Sequence, residues 1–327
     1  MNPRIRIGYH ASHEQFAPSE LLRHVLHAEQ AGFDAAMSAD HFHPWSVRQG
    51  QSGFGWAWLG AAMQATRRLD FGGLCVPGGW RYHPAVVAQA AATLAEMFPG
   101  RLRWIGAGSG EALNEGVVGA GWPRKDERNA RLAAGVDIIR ALWRGETVTR
   151  AGPPAVEQAT LFTRPSTPPK IYGAALTPET AAWVGGWADG LLTTAAAVDD
   201  LRAIVDAFRG GGGEGKPMAL QVHLSWAPDE AEARAGAHDQ WRSNAVSPAV
   251  SETLATPFQF DEAAADVRPE DMDDHVAISA DPAWHLDRLL ERSALGFDEL
   301  HLHNVGRNQR DFIEVFGREV LPGLARG

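Results

Sequence analysis

Cysteine is nearly absent from this chain: Cys75 stands alone among 327 residues. One thiol cannot close an internal disulfide or build a thiolate metal cluster. Lysine is almost as scarce, with Lys125, Lys170 and Lys216 its only copies. Acids outnumber Lys and Arg by 40 to 30, a formal charge of −10. That balance argues against a broad basic face for nucleic acid or anionic lipid. No apolar stretch approaches the ~20 residues a bilayer helix needs, because Arg, Asp, His or Gly interrupts each one. The N-terminal Met-Asn-Pro-Arg-Ile-Arg has no apolar export core, so a cytoplasmic location is expected. Nor does any linker rich in Pro, Gly or Ser divide the chain. Residues 1–327 therefore read as one domain, whose 45% hydrophobic content supplies a large core.

The prevailing rhythm is strand then helix. Residues 4–10 alternate apolar and polar, as a strand does. Pro18 opens a helix to Ala31 with an apolar stripe of Leu21, Leu22, Val25 and Leu26, and Gly32 closes it. Further strands are expected at 33–38, 69–76, 102–106, 170–174, 190–194, 218–226 and 299–303. Helices are expected at 56–68, 84–97, 126–143, 178–186, 199–209, 229–242, 282–295 and 311–316. One joint recurs where helix gives way to strand: Gly32-Phe33-Asp34, Trp187-Ala188-Asp189 and Gly296-Phe297-Asp298. A repeated joint implies a repeated βα unit, and eight units close as a (β/α)8 TIM barrel. A doubly wound sheet is the alternative. Residues 245–280, acidic and Pro-containing, are expected to form an irregular insertion.

A barrel of this kind carries its chemistry on the loops after its strands. After strand 2 comes Asp40-His41-Phe42-His43-Pro44-Trp45, an imidazole beside an acid and a large aromatic, which suits proton transfer. The competing reading is that Asp40 and His43 only bond the backbone. After strand 4 comes Gly106-Ala107-Gly108-Ser109-Gly110-Glu111-Ala112-Leu113-Asn114-Glu115. Its glycines let a backbone approach a ring or phosphate, and Glu111 stands at the mouth as a candidate acid. A plain tight turn is the alternative. After strand 5, Ala175-Leu176-Thr177-Pro178 is either a phosphate site or an ordinary helix cap. Pairs at spacing two, His41/His43 and His301/His303, raise a metal site, but no acid follows strand 8 and no metal is expected. Trp45, Trp56, Trp58 and Trp80 serve either packing or an aromatic pocket wall.

Four segments in order, residues 8–18, 40–45, 81–85 and 108–115, resemble the F420-dependent glucose-6-phosphate dehydrogenases of the bacterial-luciferase-like superfamily. The resemblance covers nearly the whole chain. It implies a luciferase-like (β/α)8 fold and a ring cofactor, either FMN or the deazaflavin F420. His41 would accept the proton of a substrate hydroxyl as hydride leaves. Trp45 would wall the site, Glu111 would protonate the reduced ring, and Glu14 would support them. Asp40, His41, Glu111, Gly108, Gly110 and Asn114 would line the ring. Leu74-Cys75 would form a non-prolyl cis peptide against it, and Ala175, Leu176 and Thr177 would hold the cofactor phosphate. A homodimer is also implied.

Two departures qualify this. The segments 193–198 and 243–287 hold no base except Arg268, which argues against a sugar phosphate as substrate. The run His301–Gln309 resembles a sister branch of flavin oxidoreductases that do not use F420, which tips the expectation toward FMN. The expected activity is hydride transfer between the ring and a small alcohol, lactol or carbonyl compound. An FMN monooxygenase fed by a separate flavin reductase, a metal-dependent barrel hydrolase and a flavin-binding protein without turnover are the other readings.

Overall fold

The computed structural model describes residues 4–194 and 197–324. Eight parallel strands form its centre: β1 (Arg6–Ala11), β2 (Ala35–Ser38), β3 (Asp70–Cys75), β4 (Leu102–Ala107), β5 (Lys170–Ala174), β6 (Gly190–Thr194), β7 (Met218–Ser225) and β8 (Glu299–Asn304). Each pairs with its neighbour in chain order, and β8 pairs with β1, so the sheet closes as a (β/α)8 TIM barrel. The expected 193–198 loop after β6 includes residues 195 and 196, which lie outside the described residues.

Helices α1 (Pro18–Ala31), α2 (Gly55–Ala65), α3 (Pro84–Met97), α4 (Lys125–Arg144), α5 (Pro178–Gly185), α6 (Val198–Phe208), α7 (Glu230–Trp241), α8 (Pro282–Ser293) and α9 (Gln309–Val315) surround it. Helix α1 buries Leu21, Val25 and Ala28 and stops at Gly32, whose φ of 99° only glycine adopts freely. Helix α4 buries the stripe of Leu132, Val136, Ile139 and Trp143 and stops at Gly145 in the same way. Among the described residues no helix is long and apolar enough to cross a membrane.

The recurring joint has a physical role. The side chains of Asp34, Asp189 and Asp298 each accept a hydrogen bond from a backbone N–H at the first or second residue of the preceding strand in the barrel, Ile7, Ile171 and Met218, at 3.1, 2.9 and 2.8 Å. Each Asp backbone N–H returns a bond to the carbonyl of that same residue. The pair of bonds locks the entry register of two neighbouring strands.

The expected 245–280 insertion lies between α7 and α8, and it is more regular than expected. Short helices at Pro248–Ser251 and Pro257–Ala263, a 3-10 helix at Pro269–Asp274 and a strand at Ala277–Ile278 occupy it. Thr256 and Gln259 form a capping box, which satisfies N–H groups at that helix start. Met272, Val276 and Ile278 pack with Trp241 and Val305 as a small core of their own. The sequence reading also passed over the hairpin Val148–Arg150 and Val156–Ala159, because strands this short show too little alternation to register.

Candidate active site

Strands β1 and β2 are neighbours, so the loops that follow them meet at the barrel mouth. There the Glu14 carboxylate is in close contact with His41 Nδ1. Its other oxygen accepts the Ser12 hydroxyl at 2.7 Å. His41 Nε2 lies 3.8 Å from Glu111 on the loop after β4. Trp45 meets the imidazole edge-on at 5.1 Å and itself rests on Phe260 of the 257–263 helix. The four residues expected to carry the chemistry are thus gathered in one place.

Their charges are coupled. Burial alone would push His41 down, but the Glu14 carboxylate outweighs it and raises the imidazole to about 9. Burial would raise Glu14, yet the His41 cation holds it well below the usual carboxylate range. At neutral pH the pair is therefore carboxylate and imidazolium, and His41 already carries a proton. Glu111 keeps 46% of its side chain accessible, but the concave mouth still desolvates it. That desolvation raises its carboxyl above the ordinary value, against the pull of His41.

Asp40 and Asn114 lie beside the site with their polar groups engaged by the chain. The Asp40 carboxylate accepts Arg81 at 3.0 Å and the Tyr82 hydroxyl at 2.8 Å. Arg81 also pairs with buried Glu115 at 3.3 Å. One guanidinium serves two buried carboxylates, so desolvation prevails and both are pushed upward. Asn114 accepts the N–H groups of Phe42 and His43 at 2.9 and 3.2 Å and donates to Glu111 at 3.1 Å. It therefore couples the His41 loop to the Glu111 carboxyl.

Several expectations about the ring wall change. The Leu74–Cys75 peptide is not cis; among the described residues only Pro153–Pro154 is. Cys75 stays in ladder register with Ala107, and its carbonyl accepts the Gly108 N–H at 3.1 Å, which keeps the strand end extended. Alternation along β3 turns Leu74 into the barrel and Cys75 outward into the helix-facing core. Burial there raises the thiol well above its ordinary pKa. The two glycines also separate. A Cβ on Gly110 (φ 83°) would lie 2.9 Å from Glu115 and Val76, so the protein itself requires glycine there. A Cβ on Gly108 would meet nothing nearer than Ala174 at 3.7 Å and the Gly110 nitrogen at 4.0 Å, which leaves this face open to a ligand. After β5, the Ala175 N–H is committed to the Leu192 carbonyl. Among the described residues no hydrogen bond uses the N–H groups of Leu176 or Thr177, which lead into helix α5.

The paired histidines do not converge on a metal. His43 Nδ1 bonds the Leu113 carbonyl at 3.0 Å, and His301 bonds Glu299 at 3.0 Å. No group of three or more His, Cys, Asp or Glu with metal-holding geometry occurs among the described residues. For His301 and His303 the spacing of two instead marks one face of β8, the face turned to the barrel lumen, whereas His41 and His43 lie in the loop after β2. Sequence reasoning missed Arg81 and Tyr82 as partners of Asp40, and it missed Gln221 and His223 in the lumen. The alternation Gln221-Val222-His223 on β7 was the available signal.

Residues 3–299 match the model of the luciferase-like monooxygenase family. The chain belongs to the luciferase-like family. Within it, the chain is 35% identical to the F420-dependent glucose-6-phosphate dehydrogenase of Nakamurella multipartita, over 98% of this chain and 97% of that protein. It is 32% identical to the enzyme of the same name from Mycolicibacterium fortuitum, over 98% of each. Among solved structures it resembles an F420-dependent secondary alcohol dehydrogenase in complex with an F420-acetone adduct. That likeness has a TM-score of 0.92 and 30% identity, and covers 98% of this chain and 99% of that one. An FMN complex of a Baeyer-Villiger monooxygenase component from Pseudomonas putida shares the fold at TM-score 0.71 and 14% identity, over 98% of this chain and 99% of that one. This luciferase-like chain is an oxidoreductase, as its named relatives are. The lean toward FMN is not supported, because FMN enters only at 14% identity while the relatives at 30% or more are named for F420. The expectation against glucose 6-phosphate finds no support in these names either.

Proposed function

We propose that this luciferase-like enzyme uses F420 to exchange a hydride with a hydroxyl-bearing or carbonyl carbon of a small organic molecule. The observation that carries the proposal is the His41 imidazolium held between Glu14 and Glu111 beneath Trp45. The residues present fit a flat deazaflavin. Gly108 and Ala174 offer small faces at the mouth, and the free N–H groups of Leu176 and Thr177 suit a phosphate. When bound, the deazaflavin supplies the hydride donor or acceptor.

The chain's own residues handle protons. For carbonyl reduction, His41, held as the imidazolium by Glu14, donates its proton to the new alkoxide oxygen and is left neutral. For alcohol oxidation, the Glu14–His41 pair must first lose that proton, and neutral His41 then accepts the hydroxyl proton. Burial raises the Glu111 carboxyl above its ordinary value, which makes it the candidate to pass a second proton on the opposite side of the imidazole. Trp45 and Phe260 shield this exchange from water.

The test is anaerobic turnover of F420, followed by its absorbance, with secondary alcohols, lactols and glucose 6-phosphate. His41→Ala and Glu111→Gln are expected to lower turnover by roughly 100-fold or more while F420 binding persists. Full turnover in both variants would remove the assigned acid–base pair. Oxygen uptake with reduced FMN and no F420 turnover would instead make the chain a monooxygenase.

A further inference from the structure

Above the apolar lumen layer of Met37, Trp104, Tyr172 and Leu192, the barrel interior becomes polar on one side only. Strands β7, β8 and β1 there present Gln221, His223, His303 and His10. Barrel lumens are ordinarily filled with branched apolar side chains, so this layer needs an explanation. The Gln221 Nε2 group lies 3.1 Å from His223 Nε2, 3.5 Å from His10 Nε2 and 3.5 Å from His303 Nδ1. An amide has two N–H bonds for these three nitrogens.

The neighbours settle which atoms donate. Gln15 gives its amide N–H groups to the Val305 carbonyl and to Gln240, so its Oε1 accepts from His303 Nε2 at 2.9 Å. That fixes His303 with Nδ1 as an acceptor. His223 Nε2, the nearest of the three, accepts from Gln221, so His223 carries its proton on Nδ1. Among the described residues no bond uses that Nδ1–H or the Gln221 carbonyl oxygen. Both side chains remain partly accessible, although they point into a closed barrel. That residual exposure leaves the two side chains open to a ligand at this level of the lumen. Burial keeps these imidazoles uncharged, with His223 pushed down to about 4 and His10 to about 3. The floor thus offers one neutral donor beside one neutral acceptor. A hydroxyl group, which both donates and accepts, is the matching partner.

We propose that Gln221 and His223 form a hydroxyl-binding subsite, which selects substrates carrying a second hydroxyl away from the reacting carbon. Sugars and diols are preferred over plain alcohols of similar size. The inference rests on the hydride-transfer reading for its kinetic consequence, but not for the binding itself. Neither residue contacts the His41–Glu14–Glu111 group, so both act on specificity and leave the proton chemistry in place.

The experiment compares glucose with cyclohexanol as substrates of the F420-loaded enzyme, in wild type, Gln221→Met and His223→Phe. Both variants keep the overall shape of the original side chain and remove its polar atoms. The expected result is a fall of about tenfold or more in the glucose-over-cyclohexanol ratio of kcat/KM, with the F420 Kd within about twofold of wild type. An unchanged ratio overturns the subsite. The second readout is independent of turnover: the His223 Cε1 proton resonance is followed during titration with glucose and with cyclohexanol. A shift with glucose alone supports the subsite even if no substrate is turned over, in which case only the hydride reading fails. Without turnover, no shift overturns the subsite. If one variant does not fold, the other carries the same comparison.

Discussion

His41 shows how one neighbour can reverse the effect of burial. A buried imidazole ordinarily loses its proton, as His13 does beside it, where burial pushes the ring down to about 4. His41 goes the other way because Glu14 sits against its Nδ1. The sign of the pH dependence follows. Alcohol oxidation needs neutral His41, so its kcat/KM rises with pH and levels off above about 9. Carbonyl reduction needs the imidazolium, so its kcat/KM is flat at lower pH and falls through about 9. Glu14→Gln removes the raising charge and leaves the burial, so both limbs move well below 9. Rate profiles of the variant and wild type in each direction check this. A limb that stays in place would show that another group titrates.

The joints between helix and strand carry a comparable lesson for the elements. Gly32-Phe33-Asp34, Trp187-Ala188-Asp189 and Gly296-Phe297-Asp298 could be seen in the sequence as a repeat, which led to the barrel. What the repeat does is visible only with the partner strand present. Each Asp accepts an N–H that no ladder bond would otherwise meet at the strand entry. Asp189→Ala and Asp298→Ala should each cost about 1–3 kcal/mol, the range for an unmet buried donor. The two sites share no hydrogen-bond partner, so the double variant should show a nearly additive loss. Urea unfolding of the three variants measures both points, and a marked departure from additivity would mean the joints are coupled.

Across the whole molecule, the 248–264 region spans the barrel mouth and is tied to it at several points. Asp261 accepts the Ser46 hydroxyl and the Val47 N–H, at 2.5 and 3.0 Å. Phe260 backs Trp45, and Glu252 pairs with Arg128 of α4. Asp261→Ala should loosen this cover over His41 with little effect on the barrel. The expected signs are faster amide exchange in residues 248–264, a KM raised several-fold and a Tm changed by only a few degrees. Unaltered exchange there would show that the small core around Trp241 and Met272 holds the cover without Asp261.

Much of the architecture was legible along the chain. Hydrophobic spacing placed the eight strands and located α1, α3, β5 and β6 to the residue, because helix and strand periods are local properties read over a few turns. The loops at the strand ends pointed to His41, Glu111 and Trp45, since barrel topology brings those ends together, whereas Glu14 was named only through the family resemblance. Other features depend on partners far away in sequence. The protonation of His41 depends on Glu14 across a loop, and the engagement of Asp40 depends on Arg81 and Tyr82. The outward turn of Cys75 follows from strand register, and the polar floor follows from β7 closing against β8 and β1. Sequence pattern determines which residues face inward. Only the closed barrel decides which of them meet, because hydrogen bonding and desolvation act over a few ångströms of space, whatever the distance along the chain.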